Sequence, residues 1–235
     1  MKISLIIPAY NEEKRLKPFL ESIAAYCVTH VNDFAEIIVV DDGSKDTTST
    51  VAGNFKTSIP FLKVIKLAQN QGKGAAVQAG VMAAQGDHVV FMDADGATDI
   101  TELPKMISAL KTSDIAIGNR WIEGSVTERH SILRKLAGWV YRTYLRLFGL
   151  GKIDTMCGFK GYQKNIAVEL FKNLQEKRWL FDTEIAYKAV RKGYSITNFP
   201  ILWESKDGSK LSGSDLLKSA WQIWPLIERL KKQPF

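Results

Sequence analysis

Val89-Val90-Phe91-Met92-Asp93-Ala94-Asp95-Gly96 sets two carboxylates, one small residue apart, at the end of an apolar run. Carboxylates at that spacing suit a hard divalent cation. Mg²⁺ commonly takes one or two protein carboxylates and keeps its other positions for water and phosphate oxygens. Alternate residues of an extended chain point the same way, so Asp93 and Asp95 could share one ion before Gly96 lets the chain turn. The plain alternative is a solvated acidic turn, and an Asp-x-Asp pair alone does not separate the two. Three more stretches carry groups suited to a phosphorylated ligand: Pro8-Ala9-Tyr10-Asn11-Glu12, Asp41-Asp42-Gly43-Ser44 and Asn70-Gln71-Gly72-Lys73-Gly74.

The elements that position these groups follow from hydrophobic pattern. Lys2 to Pro8, Glu36 to Val40, Leu62 to Leu67, the run into Asp93 and Asp114 to Gly118 read as short buried strands. Between them lie helical segments. One carries Leu16, Phe19, Leu20 and Ile23 at helical spacing, one is alanine-rich from Ala75 to Ala84, and one runs from about Thr101 to Leu110. Asp46-Thr47-Thr48 can cap another. Regular alternation of strand and helix predicts an α/β fold with a mostly parallel central sheet flanked by helices. In such a sheet the strand-end loops gather on one edge, which turns four weak motifs into one candidate site.

The totals narrow the partner. Among 235 residues, 32 Lys and Arg face 25 Asp and Glu, a formal charge of +7, which suits an anionic partner (nucleic acid, a membrane surface or a phosphorylated substrate) but also an ordinary basic surface, and net charge alone does not choose. Nucleic acid would explain the charge but not the glycine and carboxylate loops, so no nucleic-acid partner is expected. Cys27 and Cys157 are far apart without a CxxC, so neither a zinc site nor a disulfide framework is expected. The chain opens directly into a strand, and no apolar run is long enough to span a bilayer. The expectation is a cytoplasmic protein, or one attached to a membrane only from the side.

The second half changes character, without a convincing domain boundary. Ser131 to Phe148 reads as a helix with Leu133, Leu136, Ala137, Val140, Tyr144, Leu147 and Phe148 on one face, and Lys135, Arg142 and Arg146 on another. Asp154 to Tyr162 reads as turn and strand, Phe181 to Val190 as helix, Ile196 to Trp203 as extended, and Ser205 to Ser214 as a polar loop. Asp215 to Lys232 reads as a helix with Leu216, Ala220, Ile223, Ile227 and Leu230 on one side, kinked or interrupted at Pro225. Trp221, Trp224 and the terminal cations suit a membrane interface, while the apolar face equally suits docking on the sheet.

In this order, Pro8 to Glu12, Asp41 to Ser44, Asn70 to Gly74 and Asp93 to Gly96 resemble the family-2 glycosyltransferases of the GT-A (Rossmann-like) fold. The resemblance continues through Gly118-Asn119-Arg120, Asp154 to Lys160, Arg178 to Glu184, Trp203-Glu204 and Gly208 to Leu211, and covers nearly the whole chain. These later segments resemble the polyprenyl-phosphate branch, and most of all dolichyl-phosphate β-glucosyltransferases. Mannosyl-transferring relatives often carry Gln where this chain has Ala97, and one bacterial glucosyl-transferring group carries Asp in place of Gly158. Residues 93–98 follow the dolichyl glucosyl branch.

The resemblance implies one GT-A domain over residues 1–235, with a nucleotide-sugar half at 1–119 and an acceptor half at 120–235 carrying amphipathic helices. It implies a UDP-sugar donor, Mg²⁺ or Mn²⁺, and inverting transfer of a hexose, glucose from UDP-glucose, to dolichyl (polyprenyl) phosphate. The alternatives are a GDP-mannose-dependent mannosyltransferase and a non-catalytic nucleotide-sugar binder. Pro8, Tyr10, Glu12 and Asp42 would line base and ribose, Lys73 would approach the diphosphate, and Asp93, Ala94 and Asp95 would face ribose, diphosphate and metal. Arg120 and Arg134 would meet the acceptor phosphate, helped by Lys210. Asp93, Asp95, Arg120 and Arg134 would form the catalytic set. Asp182 and Glu184 could organise sugar or acceptor, against the alternative of plain helix-surface carboxylates. The eukaryotic relatives' N-terminal membrane anchor has no counterpart here, so lipid access would come from the amphipathic helices or a membrane-protein partner.

Overall fold

The computed structural model describes the backbone of residues 1–128, 132–206 and 213–232, and side chains of residues 1–127, 138–206 and 221–232. The β-branched runs form the sheet, as their composition requires. Strands β1 (Ile3–Ala9), β2 (Phe34–Asp41), β3 (Leu62–Lys66) and β4 (His88–Met92) lie parallel, with β1 between β2 and β4. Beyond β4 comes β7 (Phe159–Gln163), antiparallel to both β4 and β5 (Ile115–Asn119). Strand β8 (Ile196–Pro200) closes that edge parallel to β5. The seven-stranded sheet is mostly parallel, as predicted, with an antiparallel strand in its interior that periodicity does not foretell. A separate short ladder pairs β6 (Val126–Glu128) with β9 (Leu202–Glu204).

Successive strand residues point to opposite faces, and each face has its own core. Leu5, Ile7, Ile37, Val39, Val90 and Met92 pack under α1 (Glu13–His30), α2 (Thr48–Asn54) and α4 (Leu103–Leu110). Leu16, Phe19, Leu20 and Ile23 are all buried there, the stripe their spacing predicts. Ile6, Ile38, Val40, Val89, Phe91 and Ile117 face the other helices: α3 (Lys73–Ala83), α5 (Ile132–Leu145), α6 (Lys164–Lys172), α7 (Phe181–Arg191) and α8 (Gly213–Lys231).

Two expectations about the amphipathic helices change. Among the described side chains of α5, Tyr141 and Leu145 are buried, while Val140, and Leu147 just past the helix end, both expected on the packed face, are exposed. Tyr141 and Leu145 enter the core beside α7, and the Tyr141 hydroxyl meets the Thr183 hydroxyl at 3.0 Å. On α8, the helix continues through Pro225 without interruption. Pro225 and Trp221, the residue whose carbonyl loses its donor, both sit on the exposed side. Ile223, Leu226, Ile227 and Leu230 are fully buried in the core. Burial of each such side chain is worth about 1.5–3 kcal/mol, so this face is committed to the protein. Trp221 and Trp224 stay 85% and 56% exposed.

A buried carboxylate ties the sheet together at the opposite edge from the site loops. Glu36 on β2 accepts from the Ser4 hydroxyl at 2.7 Å, the Gln85 N–H at 2.6 Å and Lys63 Nζ at 2.6 Å. Burial opposes its charge, but Lys63, Ser4 and Gln85 outweigh that and hold its carboxyl below the ordinary range. A native pKa below the unfolded value gives stability that is present above the unfolded value and lost as pH falls through the native one. Glu36→Gln is therefore expected to cost about 1–3 kcal/mol at neutral pH. Thermal melts should show the gap from wild type closing in acid; a gap that persists at pH 3 contradicts this.

Candidate active site

Strand β1 is flanked by β2 on one side and β4 on the other, so the chain order reverses at β1. A crevice opens past the carboxyl ends at such a point. It forms a cavity of about 270 Å³. Pro8 lies near the end of β1, Tyr10 and Glu12 follow it, and Asp42 follows β2. Lys73 opens α3, and Asp93, Ala94 and Asp95 follow β4. All eight residues expected on the donor side line this one pocket.

The acidic pair reaches it by a different route from the one alternation suggests. Strand β4 ends at Met92, and Ala94 and Asp95 lie in a turn, so the period of two does not apply. The turn is fixed by the Ala97 N–H donating to Asp95 Oδ1 at 3.0 Å. Asp93 donates its own N–H to the Gly158 carbonyl at 3.1 Å. Gly158 also packs against the Asp93 carboxylate so closely that any β-carbon there would collide with it.

Asp93, Glu12 and Asp95 each have a cationic neighbour. Lys73 Nζ lies 2.5 Å from Asp93 Oδ1. Burial alone would lower the Lys73 pKa, but the charges of Asp93 and Asp182 outweigh it and raise it, so the ammonium stays charged. Arg15 donates through Nε and Nη2 to the two oxygens of Glu12 at 2.7 and 2.6 Å, and its Nη1 stands 3.8 Å from Asp95 Oδ2. Asp42 accepts from Gln71 N–H, Gly72 N–H and Asn70 Nδ2, each at 2.8 Å. That clamp shapes the turn from which Lys73 projects. Gly72 has φ +106°, and a β-carbon there would lie 2.5 Å from the Lys177 carbonyl, so only glycine lets the turn meet residues 177–178.

Burial and the charge of Asp93 push the Asp95 carboxyl above its ordinary range. Two carboxylates forced together in a half-closed pocket are the donor set a hard divalent cation relieves. Among the described residues no cluster of three His, Cys, Asp or Glu side chains could hold a metal. An ion held by Asp93 and Asp95 would take its remaining positions from ligand phosphates and water.

The acceptor-side residues separate. Arg120 does not line the cavity. Its Nε and Nη2 donate to Asp154 at 2.8 and 2.9 Å, and its guanidinium lies 5.1 Å from the Trp203 ring. Arg134 belongs to α5, but its side chain, like the whole of Lys210, lies outside the described residues. Asp182 and Glu184 are buried, not on a helix surface. Asp182 pairs with the buried Lys160 at 2.9 Å. Glu184 accepts from the N–H groups of Gln175 and Glu176 and from Lys188 Nζ at 2.5 Å, and so anchors the segment leading to Arg178 and Trp179. Those two line the pocket, with Lys73 Nζ 5.9 Å from the Trp179 ring. Sequence reading assigned no role to them, to Arg15 or to Asn70. Asn70, Arg178 and Trp179 fall within the motif stretches, and Arg15 was signalled by its spacing of one helical turn from Glu12.

Known proteins share this architecture. The profile described as "Glycosyl transferase family 2" matches residues 4–171, more than half of the chain. The chain belongs to glycosyl transferase family 2. A dolichyl-phosphate beta-glucosyltransferase of Trichomonas vaginalis is 36% identical over 229 residues, covering 92% of this chain and 68% of that protein. The human dolichyl-phosphate beta-glucosyltransferase is 34% identical over 225 residues, covering 89% and 69%. The glucosyl-3-phosphoglycerate synthase of Mycobacterium tuberculosis, solved with Mn²⁺, UDP and glucosyl-3-phosphoglycerate, superposes with a TM-score of 0.71. At 20% identity, over 100% of this chain and 81% of that one, it shares the fold. This family-2 glycosyltransferase thus has a mostly parallel sheet with its charged pocket at the switch point.

Glu184→Ala would leave Lys188 buried without its partner and free the amides of Gln175 and Glu176. A loss of about 3–5 kcal/mol is expected. Hydrogen exchange should show those two amides losing protection; unchanged protection would mean that Glu184 does not anchor this wall.

Proposed function

We propose that this glycosyltransferase moves glucose from UDP-glucose to dolichyl (polyprenyl) phosphate with inversion, giving a β-linked lipid-phosphate sugar. The reading rests on the convergence of all eight donor-side residues on one pocket, in a chain whose relatives of 34–36% identity are named dolichyl-phosphate beta-glucosyltransferases. The M. tuberculosis synthase was solved with UDP and either Mn²⁺ or Mg²⁺. Asp93 and Asp95 would hold such an ion here, and when bound it supplies a Lewis acid for the charge of the leaving diphosphate.

The chain's own groups do the rest. Pro8, Tyr10, Glu12 and Asp42 hold base and ribose, and Ala94 lets the ribose close on the turn. Lys73, kept charged by its acidic neighbours, meets the diphosphate. The Arg120 fork, with Arg134 and Lys210, takes the acceptor phosphate, where planar guanidinium matches phosphate oxygens. A phosphate monoester is largely ionised near neutral pH, with its second pKa about 6. The acceptor therefore arrives as its own nucleophile, and the site needs orientation more than a general base. Residues 1–119 thus serve the donor and residues 120–235 the acceptor.

The lipid substrate requires access to a bilayer, and no helix among the described residues is long and apolar enough to cross one. Trp139 and Val140 on α5, Leu147 in the turn after it, and Trp221 and Trp224 on α8 are exposed. Phe148, in that same turn, sets its ring edge-on against Trp224 at 5.8 Å. Tryptophan at the head-group level, with Arg229, Lys231 and Lys232 ending α8, suits peripheral attachment to the cytoplasmic face of a membrane, alone or with a membrane-protein partner.

Purified protein with Mn²⁺ and dolichyl phosphate should carry label into the organic phase from UDP-glucose and not from GDP-mannose. Label from GDP-mannose alone would overturn the sugar, and label in neither arm would overturn the lipid acceptor. Asp95→Ala should lower that transfer by roughly 10²-fold or more, as the loss of a charge-stabilising group at a reacting centre does. The double substitution Trp221→Ala/Trp224→Ala should weaken flotation with anionic liposomes; unchanged flotation would place the membrane contact elsewhere.

A further inference from the structure

Residues 154–160 touch both sides of the site without lining it. Asp154 accepts from Arg120 three times: from Nε at 2.8 Å, Nη2 at 2.9 Å and the backbone N–H at 3.2 Å. It also closes its own turn by accepting the Met156 N–H at 3.3 Å. With the Trp203 ring against the guanidinium, the Arg120 fork has one orientation. Four residues later, the Gly158 carbonyl accepts the Asp93 N–H, and its bare α-carbon is pressed against the Asp93 carboxylate. Lys160 fastens the turn from beneath, donating Nζ to the carbonyls of Thr155 and Cys157 and pairing with Asp182. Asp154 and Lys160 are both buried, so neither is a solvated surface charge.

We infer that the segment from Asp154 to Lys160 is a rigid strut between the two halves of the reaction, with Asp154 the positioning residue that aims Arg120 and Gly158 the seat that places Asp93. The inference rests on the reading that Arg120 meets the acceptor phosphate. Its consequence is geometric. In-line attack requires the acceptor oxygen within about 3–3.5 Å of the anomeric carbon, and a displacement of 1 Å costs roughly 100-fold. Arg120 fixes one reactant and Asp93 the diphosphate of the other. The strut connects them through a few residues of backbone, without passing through a mobile loop. The charges of Asp154 and, further off, Asp93 both raise the Arg120 pKa against the effect of burial, so the fork stays cationic beside the cation-side carboxylate.

The test is a double-mutant cycle on dolichyl phosphate kinetics at saturating UDP-glucose, with UDP affinity and melting temperature followed in parallel. Asp154→Asn should lower acceptor kcat/KM by roughly 10-fold to 100-fold while UDP affinity stays within about twofold. Arg120→Met should do at least as much, and the double variant should be no worse than Arg120→Met alone. Asp154→Glu keeps the charge but moves the fork by one methylene. It should keep the melting temperature and still lose acceptor kcat/KM, which separates aiming from folding. The inference fails if Asp154→Glu retains full kcat/KM, or if the Asp154→Asn loss persists undiminished in the Arg120→Met background. An Arg120→Met enzyme with unchanged acceptor kinetics would instead overturn the acceptor reading, and the inference with it.

Discussion

One carboxylate governs the pocket. Asp93 has its amide on the Gly158 carbonyl, one oxygen on Lys73 and its other side against the Gly158 α-carbon. A charge half-removed from water is tolerable only when paired and hydrogen-bonded. The surrounding structure meets that requirement in layers: Asp42 shapes the turn that delivers Lys73, and Lys160 holds the carbonyls of the turn that delivers Gly158. Moving any of these disturbs Asp93. The same layering explains why glycines occur where they do, since backbone must approach within reach of a carboxylate or a carbonyl that a side chain would displace.

Much of this was legible in the chain because it depends on short-range pattern. Branched runs such as Ile37-Ile38-Val39-Val40 announce buried strands, and parallel strands carry their polar loops to one edge. That is why the donor-side residues were foreseeable as a set. Alternation along an extended chain does not describe Asp93 and Asp95, because a turn presents them to the pocket.

What escaped depends on tertiary partners. Asp182 and Glu184 look like helix-surface acids until Lys160 and the amides of residues 175 and 176 arrive from elsewhere, joining Lys188 one turn along α7. Arg15 reads as an ordinary helical cation, yet it links Glu12 to Asp95. On α5, periodicity points to the face of Val140, yet Tyr141 and Leu145 are the ones that find tertiary partners in the core. Pro225 is a strong local signal overridden by four buried neighbours.

The antiparallel strand β7 has a consequence for how the protein is made. It stands between β4 and β5, so the strands of the first 119 residues cannot close into one sheet on their own. On the ribosome, β5 emerges well before the strand that joins it to β4, and β8, its other neighbour, emerges later still. Its apolar residues wait through synthesis at about 5–20 residues per second, the interval in which unpaired strand edges invite aggregation. Asp93, whose amide and carboxylate rest on Gly158 just before β7, gains that support only after that wait. Donor binding and folding of the second half are thereby coupled during biogenesis: a nascent chain gains its full Asp93 environment only when the strand that completes the sheet has arrived.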